Sequence, residues 1–486
     1  MPLILPARTL DSGYDIDNSV RFNDGDTPSL TLDLSGGAGN RKTWTASFWF
    51  KLGNMDSSGV SNQRFLSANT SHSDANYGQI GLGSGDYLEF GTGTQIWRRT
   101  NRLFRDPSAW YHIVVAMDTT QGTASNRVKI YINGVQETSF AISNDPTQDA
   151  DYGIMGAVSH AIGKTEVSGQ TDNETFDGYM AEWHFIDGTQ YAASDFGETD
   201  EDSGIWKPKA ASVTFGTNGF KLEFQQTGTG TASASTIGAD TSGNTNHLTS
   251  TNLAATDVTV DSPTNNWCTM NPIHKSIYGS VNYPTFSEGN LKIAMNTDSS
   301  TSSTMAPSKG KWYVEYKQSE NTADNGGYPV VGISATLGGQ TGDVIGFKTP
   351  DGSDYRGQKG TSSVSNAFGS ARESGDIFGF YINLDDEILI VHKNGSDYMG
   401  SGASSGIDWS GGLTTTDPQT GFYHFYVHNS SDGNHRYTDE VNFGNPTFSI
   451  SSGNADANGY GNFEYSPTLS GTNYYALCTK NLAEYG

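Results

Sequence analysis

Cysteine is scarce in this chain, which has only two in 486 residues. Cys268 and Cys478 lie far apart in different local contexts, so the sequence predicts neither a disulfide scaffold nor a cysteine-based zinc site. The alternative left open is a single disulfide bond between these two residues. No run of eighteen apolar residues occurs, and residues 1–22 lack the basic start and the apolar length of a signal peptide. We therefore expect no membrane insertion.

Basic residues are also few, with 28 Lys and Arg against 53 Asp and Glu and a formal net charge of -25. A surface with this excess of negative charge repels nucleic acid and anionic lipid. The same charge keeps a concentrated or surface-displayed protein in solution. The composition therefore disfavours a nucleic-acid partner.

Sustained helical periodicity is missing too, whereas glycine is abundant at 59 residues. Hydrophobic residues make up only 34%, but 12% of the chain is aromatic and nine residues are Trp, so large side chains can still fill a core. In residues 44–52 (WTASFWFKL), apolar side chains at alternate positions predict a strand with one buried face. Turn-forming pairs at 133–134 and 187–188 favour many short strands.

The predicted fold class is all-β, with two antiparallel β-sandwich (jelly-roll) domains in tandem and an extended N-terminal arm. The length favours two or three cores. We place the arm at 1–20, the first sandwich at 21–225 and the second at 276–486. Between the sandwiches, residues 226–275 are rich in Gly, Thr, Ser and Asn and include 227–235 (TGTGTASAS), which predicts a linker with edge strands.

The arm contains one short apolar patch, formed by Leu3, Ile4, Leu5 and Pro6. A short apolar patch before a polar run without periodicity suits a segment that docks on a partner protein. A disordered terminus accounts for the same pattern equally well.

Both modules resemble known families. Residues 44–52, 110–118 (WYHIVVAMD), 128–134 (VKIYING) and 176–185 (FDGYMAEWHF) resemble, in order, the laminin-G-like or concanavalin-like family. The second module is similar to a SPRY domain, and the similarity rests on residues 310–316 (GKWYVEY), 331–334 (VGIS), 375–385 (GDIFGFYINLD), 390–395 (IVHKNG) and 441–444 (VNFG). Both resemblances imply two antiparallel sheets packed face to face, a fold that admits many ligands.

The combination of modules, opening with MPLILP at 1–6 and closing with YALCTKNL at 475–482, resembles virion structural and tail-fibre proteins of marine tailed phages. This resemblance implies a non-enzymatic adhesin on the exterior of a phage particle, with other virion proteins and a host surface glycan or receptor as partners. It also implies a homo-oligomer, a trimer above all. One alternative is a decoration or cement protein with virion contacts only; another is a polysaccharide-degrading enzyme.

Catalysis by a glycosidase of the concanavalin-like group requires two carboxylates on one strand face. Glu198, Asp200 and Asp202 have the spacing, but they lie between glycines without apolar alternation, which is typical of an exposed loop. Glu182 and His184 share a predicted strand face without a second carboxylate. We therefore expect no catalytic residue and interpret both sets as polar surface.

No organic cofactor is predicted, and calcium is the candidate ion. Asn454, Asp456 and Asn458 place oxygen-bearing side chains at alternate positions before a glycine, as at the start of a calcium loop. The position of the bidentate glutamate is occupied by Tyr465. The alternative is an ordinary turn.

Sugar binding requires an exposed aromatic ring beside hydrogen-bonding side chains. Trp97 with Arg98, and Tyr355 and Trp409 in the second module, are the candidate contacts because glycine and polar residues surround them. Rings that fold onto their own domain are the alternative. The basic string around Arg98 is also a candidate for pairing with acidic loops of a neighbouring subunit, and a solvated loop accounts for it equally well.

Overall fold

The structure, a computed structural model, describes residues 13–54, 62–69, 77–165, 174–274, 283–295, 299–321, 328–335, 344–348, 357–359, 362–365, 367–369, 373–411, 421–430 and 437–486. Leu3, Ile4, Leu5, Pro6 and Tyr355 lie outside the described residues, so their predicted roles stay predictions. Within the described residues, none of the helices has the length and apolar character needed to cross a membrane.

The chain divides into an N-terminal unit, Leu10–Asn265, and a C-terminal unit that begins at Asn266. The C-terminal unit therefore follows the N-terminal unit without an intervening linker, whereas the composition predicts a linker over 226–275. Ile237, Leu248 and Leu253 are buried in the N-terminal core, because a few apolar residues within the polar stretch are enough to hold it there.

The N-terminal unit consists of two antiparallel sheets that enclose one core. Sheet A has the strand order β10-β9-β8-β3-β13-β1-β18, with β16 also paired to β13, and sheet B has the order β11-β7-β6-β5-β4-β12-β2-β17. A separate hairpin joins β14 and β15. The strands are β1 Ser19–Phe22, β2 Ser29–Asp33, β3 Thr43–Leu52, β4 Gln63–Asn69, β5 Tyr77–Gly83, β6 Tyr87–Gly91, β7 Ile96–Leu103, β8 Trp110–Asp118, β9 Val128–Ile132, β10 Val135–Gln136, β11 Phe140–Ser143, β12 Ser159–Ile162, β13 Gly178–Asp187, β14 Gly197–Thr199, β15 Trp206–Pro208, β16 Phe220–Leu222, β17 Thr249–Thr251 and β18 Val258–Thr259.

The predicted alternation in β3 fixes which face of sheet A meets the core. Trp44, Phe48 and Phe50 are completely buried there. Phe48 stacks on Trp183 at 4.1 Å between ring centroids. Side chains of successive strand residues point to opposite faces, so Ser47 and the other intervening residues of β3 form the outer face of sheet A.

The C-terminal unit repeats the two-sheet plan. Sheet C has the order β19-β20-β32-β22-β27-β28-β29, with β30 paired to β28 and β35 paired to β22, and sheet D has the order β21-β31-β23-β24-β25-β26. The strands and the one α-helix among the described residues are β19 Thr285–Ser287, β20 Lys292–Met295, β21 Ser299–Ser302, β22 Lys311–Asn321, β23 Tyr328–Ser334, β24 Val344–Lys348, β25 Gly357–Lys359, β26 Ser362–Val364, β27 Ile377–Asn383, β28 Ile388–Lys393, β29 Ser396–Asp397, β30 Ile407–Asp408, β31 His424–Ser430, β32 Tyr437–Asn442, β33 Thr468–Leu469, β34 Thr472–Asn473, β35 Tyr475–Ala476 and α1 Thr479–Tyr485.

Aromatic side chains fill this second core as well. Phe347 stacks on Phe380 at 5.5 Å, and Phe425 meets Phe380 edge to face at 5.2 Å. Phe425 and Phe347 come from sheet D and Phe380 from sheet C, so the two sheets pack face to face. The all-β prediction, with antiparallel sheets forming two sandwich cores, is confirmed.

Candidate functional site

Trp97 is not exposed. Its ring is buried in the N-terminal core, 5.0 Å from the ring of Phe90 and 4.4 Å from that of Tyr152. The register of β7 against β6 shifts here, because Arg98 pairs with Phe90 and Ile96 with Gly91, which leaves Trp97 as an extra residue. A β-bulge of this kind redirects a side chain. The prediction that Trp97 stacks on a sugar is therefore wrong.

Arg98 is buried as well, and its guanidinium donates to the Asn144 carbonyl and to Asp145, with 2.6 Å between Nη2 and Oδ1. Because these partners already bind the guanidinium, the prediction that Arg98 contacts a ligand is wrong. The neighbouring arginines also bind acidic residues of their own unit. These pairs are Arg99 with Glu89, Arg102 with Glu137 and Arg105 with Asp86. The basic string therefore needs no second subunit to balance its charge.

Trp409 belongs to the core of the C-terminal unit. Its side chain is buried, and its indole Nε1 donates to the Tyr423 hydroxyl at 3.2 Å. The glycines around it permit a tight turn that folds the ring inward, so Trp409 presents no face to a sugar.

The predicted calcium loop is organised by hydrogen bonds around Asp456. One carboxylate oxygen accepts from the backbone N–H groups of Asn458 and Tyr460, both at 2.9 Å. The other accepts from the Ala476 N–H at 2.9 Å and from Asn481 Nδ2 at 2.7 Å.

Asn454 and Asn458 use their amide groups in the same way. Asn454 donates to the carbonyl of Glu464, and Asn458 donates to the side chain of Asn481. A cation would have to displace the N–H donors from Asp456, so the structure assigns this carboxylate to the turn. In the part of the chain that the structure describes, no group of three or more His, Cys, Asp or Glu side chains is placed to hold a metal ion. Calcium binding by this chain stays a prediction.

The outer face of sheet A carries the Glu182–His184 pair. Between Ala181 and His184 the register of β13 against β3 shifts by one residue, and Glu182 has a φ of 48°. A left-handed conformation is strained for a residue with a side chain, and here it places Glu182 beside His184 on one face. Met180, two residues before Glu182, points into the core because of this shift.

Glu182 is the centre of a buried polar cluster. Its Oε1 accepts from the Tyr14 hydroxyl at 2.5 Å and lies 3.2 Å from Lys221 Nζ and 3.5 Å from His184 Nε2. Burial raises the pKa of Glu182, and Lys221 opposes that shift. Burial alone would lower the pKa of Lys221, but the Glu182 carboxylate raises it. Glu182 and Lys221 are held together by their opposite charges and by the Tyr14 hydroxyl.

His112 extends this cluster across the sheet. Its Nδ1 accepts from the Trp206 indole N–H at 3.1 Å, so the proton of the neutral ring is on Nε2, which donates to Ser47 Oγ at 2.9 Å. Burial lowers the pKa of His112 to about 3 and that of His184 well below its ordinary value. Both rings are neutral at physiological pH.

The outer face of sheet A is sealed by the chain itself. A second hydrophobic cluster packs Phe196 and neighbours from residues 191–215 over Val114 and Ile186. Nearer β18, Lys51 and Asp261 form an ion pair at 2.8 Å with both side chains fully buried. Glu182 and His184 are both buried under this cover, so the interpretation of this pair as polar surface is wrong.

The outer face of sheet B carries a row of charged side chains instead. Backbone pairing aligns Arg64 of β4, Gly81 of β5, Glu89 of β6 and Arg99 of β7 in one line across four strands. Arg99 Nη2 lies 2.5 Å from Glu89 Oε1, and the Arg99 side chain is 32% exposed. At the other end of the row, Arg64 Nε donates to Glu174 Oε2 at 2.7 Å.

The ring of Tyr87 packs against the Arg99 end of the row. The guanidinium of Arg99 lies over the Tyr87 ring, 4.5 Å from its centroid. A Cβ atom at Gly83 would lie 2.2 Å from that ring, so glycine is required where the tyrosine lies flat on β5. This layered arrangement fixes a planar group with several N–H donors beside a carboxylate, a geometry that matches adjacent oxygen atoms of a polar ligand.

Sequence reasoning missed this row. Its one signal is that Tyr87 and Glu89 alternate with the buried Leu88 and Phe90, which predicts that both point to the outer face. Which residues of β4 and β7 lie beside them depends on strand pairing, which the sequence does not state.

Three solved structures illustrate what the chain is similar to. A candidate carbohydrate binding protein from Bacteroides ovatus is 16% identical with a TM-score of 0.31, and the match covers 49% of this chain and 58% of that chain, less than two thirds of it. Domains LG4-5 of the mouse laminin alpha1 chain are 12% identical with a TM-score of 0.29, covering 98% of this chain and 91% of that one. The SPRY domain of human HERC1 is 12% identical with a TM-score of 0.25, covering 35% of this chain and 96% of that one. Sequence identities and TM-scores as low as these identify no ligand for this chain.

No curated protein matches the chain. A family model does: residues 24–193 match the Concanavalin A-like lectin/glucanases superfamily. This range includes β2 to β13, which are most strands of both sheets of the N-terminal unit, and the whole charged row of sheet B. Residues 24–193 are therefore similar to concanavalin-like domains.

Proposed function

We propose that this chain binds a glycan on a host surface through the outer face of sheet B, as a virion protein on the exterior of a tailed phage. The observation that carries the glycan-binding part is the row of Arg64, Glu89 and Arg99. The row lies on paired strands, so its donors and acceptors are fixed before a ligand arrives, which lowers the entropic cost of binding.

The match to the concanavalin-like family model supports the same choice of ligand class. Of the two outer faces, that of sheet A is covered by the chain's own segments. That of sheet B presents Arg99, which is 32% exposed. A hydroxyl-rich ligand can exchange its water for these fixed polar groups with little loss of hydrogen bonding.

The virion part of the proposal is supported by the sequence resemblance to phage structural proteins. The base of the N-terminal segment is fixed, because Ile16 exchanges hydrogen bonds with the Thr264 hydroxyl and Tyr14 binds Glu182. We propose that Leu3, Ile4, Leu5 and Pro6 contact another virion protein and that the chain works as a homo-oligomer, a trimer above all.

We propose that the chain binds the glycan without catalysing a reaction. Support comes from the burial of Glu182 and His184 and from the occupation of Glu182 by Tyr14 and Lys221. Incubating the chain with host envelope polysaccharide should release no reducing ends. Release that disappears in Glu182→Gln would overturn this part.

Glycan binding is tested with the full chain on a panel of host envelope glycans. Arg99→Ala should weaken binding about tenfold or more, because it removes a charge-assisted hydrogen-bond donor. Arg102→Ala is the matched control: its side chain is 54% exposed on the same strand and pairs with Glu137 outside the row. Equal effects of the two variants, or no binding to any glycan, count against the proposal.

Virion location is tested separately, by labelling intact particles with an antibody against the C-terminal unit. Labelled particles support the virion role, and unlabelled particles contradict it. Labelled particles together with an absence of glycan binding would favour the alternative, a decoration protein that contacts only other virion proteins.

A further inference from the structure

Asp177 is a completely buried acid at one rim of the N-terminal sandwich, where the end of β3, the start of β4 and the start of β13 meet. Its Oδ1 accepts from the Asn54 N–H at 2.8 Å, and its own N–H donates to Gln63 Oε1 at 3.0 Å. The Gly53 N–H donates to the Asp177 carbonyl at 3.1 Å. A Cβ atom at Gly53 would overlap Oδ1, so glycine is required where β3 ends against this carboxyl group. Asp177 therefore joins three strands at the rim.

A second acid, Asp24, faces Asp177 across this rim. Asp24 begins the short 3-10 turn Asp24–Asp26, which lies between β1 and β2. Its N–H donates to Asp177 Oδ2 at 3.4 Å, and the two carboxyl groups are within hydrogen-bonding reach of each other. The Thr175 hydroxyl donates to the Asp24 carbonyl at 3.4 Å. Two ionised carboxylates in contact repel each other strongly, so a proton between them keeps this contact closed.

The cations of the neighbouring strands are paired with other acids. These pairs are Arg21 of β1 with Asp257, Lys51 of β3 with Asp261 and Arg64 of β4 with Glu174. The other acid of the turn, Asp26, accepts from Asn23 Nδ2 at 2.8 Å. Among the residues that the structure describes, no ion pair joins a cation to Asp24 or Asp177. The repulsion between these two carboxyl groups is therefore not offset by a described positive charge.

The two states of the rim bind this proton with different affinity. Burial, and after it the negative charge of Asp24, raises the pKa of Asp177 to about 8. An opened rim returns Asp177 to water, where an aspartate has a pKa of about 4. Between these values the closed rim keeps the proton and the open rim loses it, so opening becomes up to about tenfold more favourable for each pH unit. The closed state is most stable below about pH 4, and its stability stops falling above about pH 8.

We propose that Asp24 and Asp177 form a pH-dependent latch, in which a shared proton holds the turn Asp24–Asp26 against residues 175–177 and loss of that proton releases the turn. The latch closes this rim of the sandwich in acid and opens it progressively as the pH rises. It uses residues outside the charged row of sheet B and does not depend on glycan binding.

Hydrogen exchange of the full chain tests the latch from about pH 5 to about pH 9.5. The buffer contains a chelator, so that no divalent cation takes the place of the proton. Protection factors are compared, because they remove the intrinsic pH dependence of exchange. In peptides that cover the turn Asp24–Asp26 and residues 174–180, they should fall up to about tenfold per pH unit and level off above about pH 8. Protection factors that stay constant over this range, relative to peptides of the C-terminal unit, overturn the proposal.

Three variants assign the pH dependence to the two acids. Asp177→Asn is neutral at every pH and can donate from its amide to Asp24, so its protection factors should not depend on pH. Asp24→Asn removes the facing charge, so its protection factors should level off at a lower pH than those of the unaltered chain. Asp26→Asn, in the same turn, is the matched control and should keep the unaltered profile. Equal slopes in Asp177→Asn and the unaltered chain contradict the latch.

The shared proton can also be observed directly by infrared spectroscopy. The unaltered chain at neutral pH should show a carbonyl band of a protonated carboxylic acid that disappears above about pH 8 and is missing in Asp177→Asn. Absence of such a band overturns the proposal even if Asp177→Asn does not fold, because this measurement on the unaltered chain needs no variant.

Discussion

The two outer faces of the N-terminal unit differ in how far their charged side chains are covered. On sheet A, Lys51, Asp261 and Glu182 are buried beneath other parts of the chain. On sheet B, Arg64 and Glu89 are buried too, but their ion-pair partners are partly exposed, Glu174 to 19% and Arg99 to 32%. Buried charges must find partners within the protein, so the first face contributes to stability, whereas partly exposed charges can exchange water for a ligand.

The comparison teaches that polar composition alone does not identify a binding surface. Both faces combine Lys or Arg, Glu and an aromatic ring. They differ in what covers them: residues 191–215 and 13–17 pack on sheet A. Stability and binding should therefore separate between the two faces. Hydrogen exchange of the full chain measures the stability of each face, with peptides of the C-terminal unit as the internal reference.

The largest effect is expected for Asp261→Ala. This change leaves Lys51 buried without its ion-pair partner and removes the acceptor of the Trp110 indole N–H, 3.0 Å away. Breaking a buried pair costs about 3–5 kcal/mol, measured as the opening free energy of peptides from β3. The exposed Glu201→Ala should change it by less than about 0.5 kcal/mol. A loss below about 1 kcal/mol in Asp261→Ala would show that the sealed face is not a stability element.

Tyr14→Phe comes next. It removes the hydroxyl that donates to Glu182 at 2.5 Å, and a hydrogen bond to a charged group contributes about 1.5–3 kcal/mol. Exchange should accelerate in peptides from β13 and β16. Tyr131→Phe is the matched control, since the Tyr131 hydroxyl has no hydrogen bond to a described residue; equal acceleration in both variants would contradict the role of Tyr14.

The pH dependence of the sealed face comes next, because its effect within any one pH unit should be smaller. Burial lowers the pKa of His112 from 6.5 to about 3, so the unfolded chain binds this proton first as the pH falls. Stability from the neutral ring is complete above about pH 6.5 and declines toward pH 3, by up to about 1.4 kcal/mol per pH unit. His112→Gln should reduce this slope in N-terminal peptides. An unchanged slope would mean that His112 is protonated in the folded protein.

The smallest stability effect is expected on the face of sheet B. Arg99→Ala removes the 32% exposed partner of Glu89, which is 6% exposed, and we expect a loss of about 1 kcal/mol because water reaches the pair from the arginine side. Its opening free energy in β6 and β7 should match that of Arg102→Ala within about 0.5 kcal/mol, although only Arg99→Ala weakens glycan binding. A loss of several kcal/mol in Arg99→Ala would remove the distinction between the two faces.

The individual binding residues were the part that sequence reasoning predicted least well. Trp97, Arg98 and Trp409 look exposed in the sequence because glycine and polar residues surround them, yet all three are buried. Local composition reports the neighbours along the chain, whereas burial depends on segments far away: Arg98, for example, binds the carbonyl of Asn144. Asp456 has the spacing of a calcium ligand, but four N–H donors occupy its oxygens.

The sequence by itself determined the all-β class, the two cores and the buried face of strands such as β3, because side-chain alternation with a period of two is a local property of the backbone. Only the tertiary structure decided which polar residues are covered and which share a row. Bulges at Trp97 and Glu182 shift the register of their strands, and a shift of one residue moves a side chain to the other face of a sheet. Arg64, Glu89 and Arg99 become neighbours through strand pairing, which depends on contacts across the whole sheet.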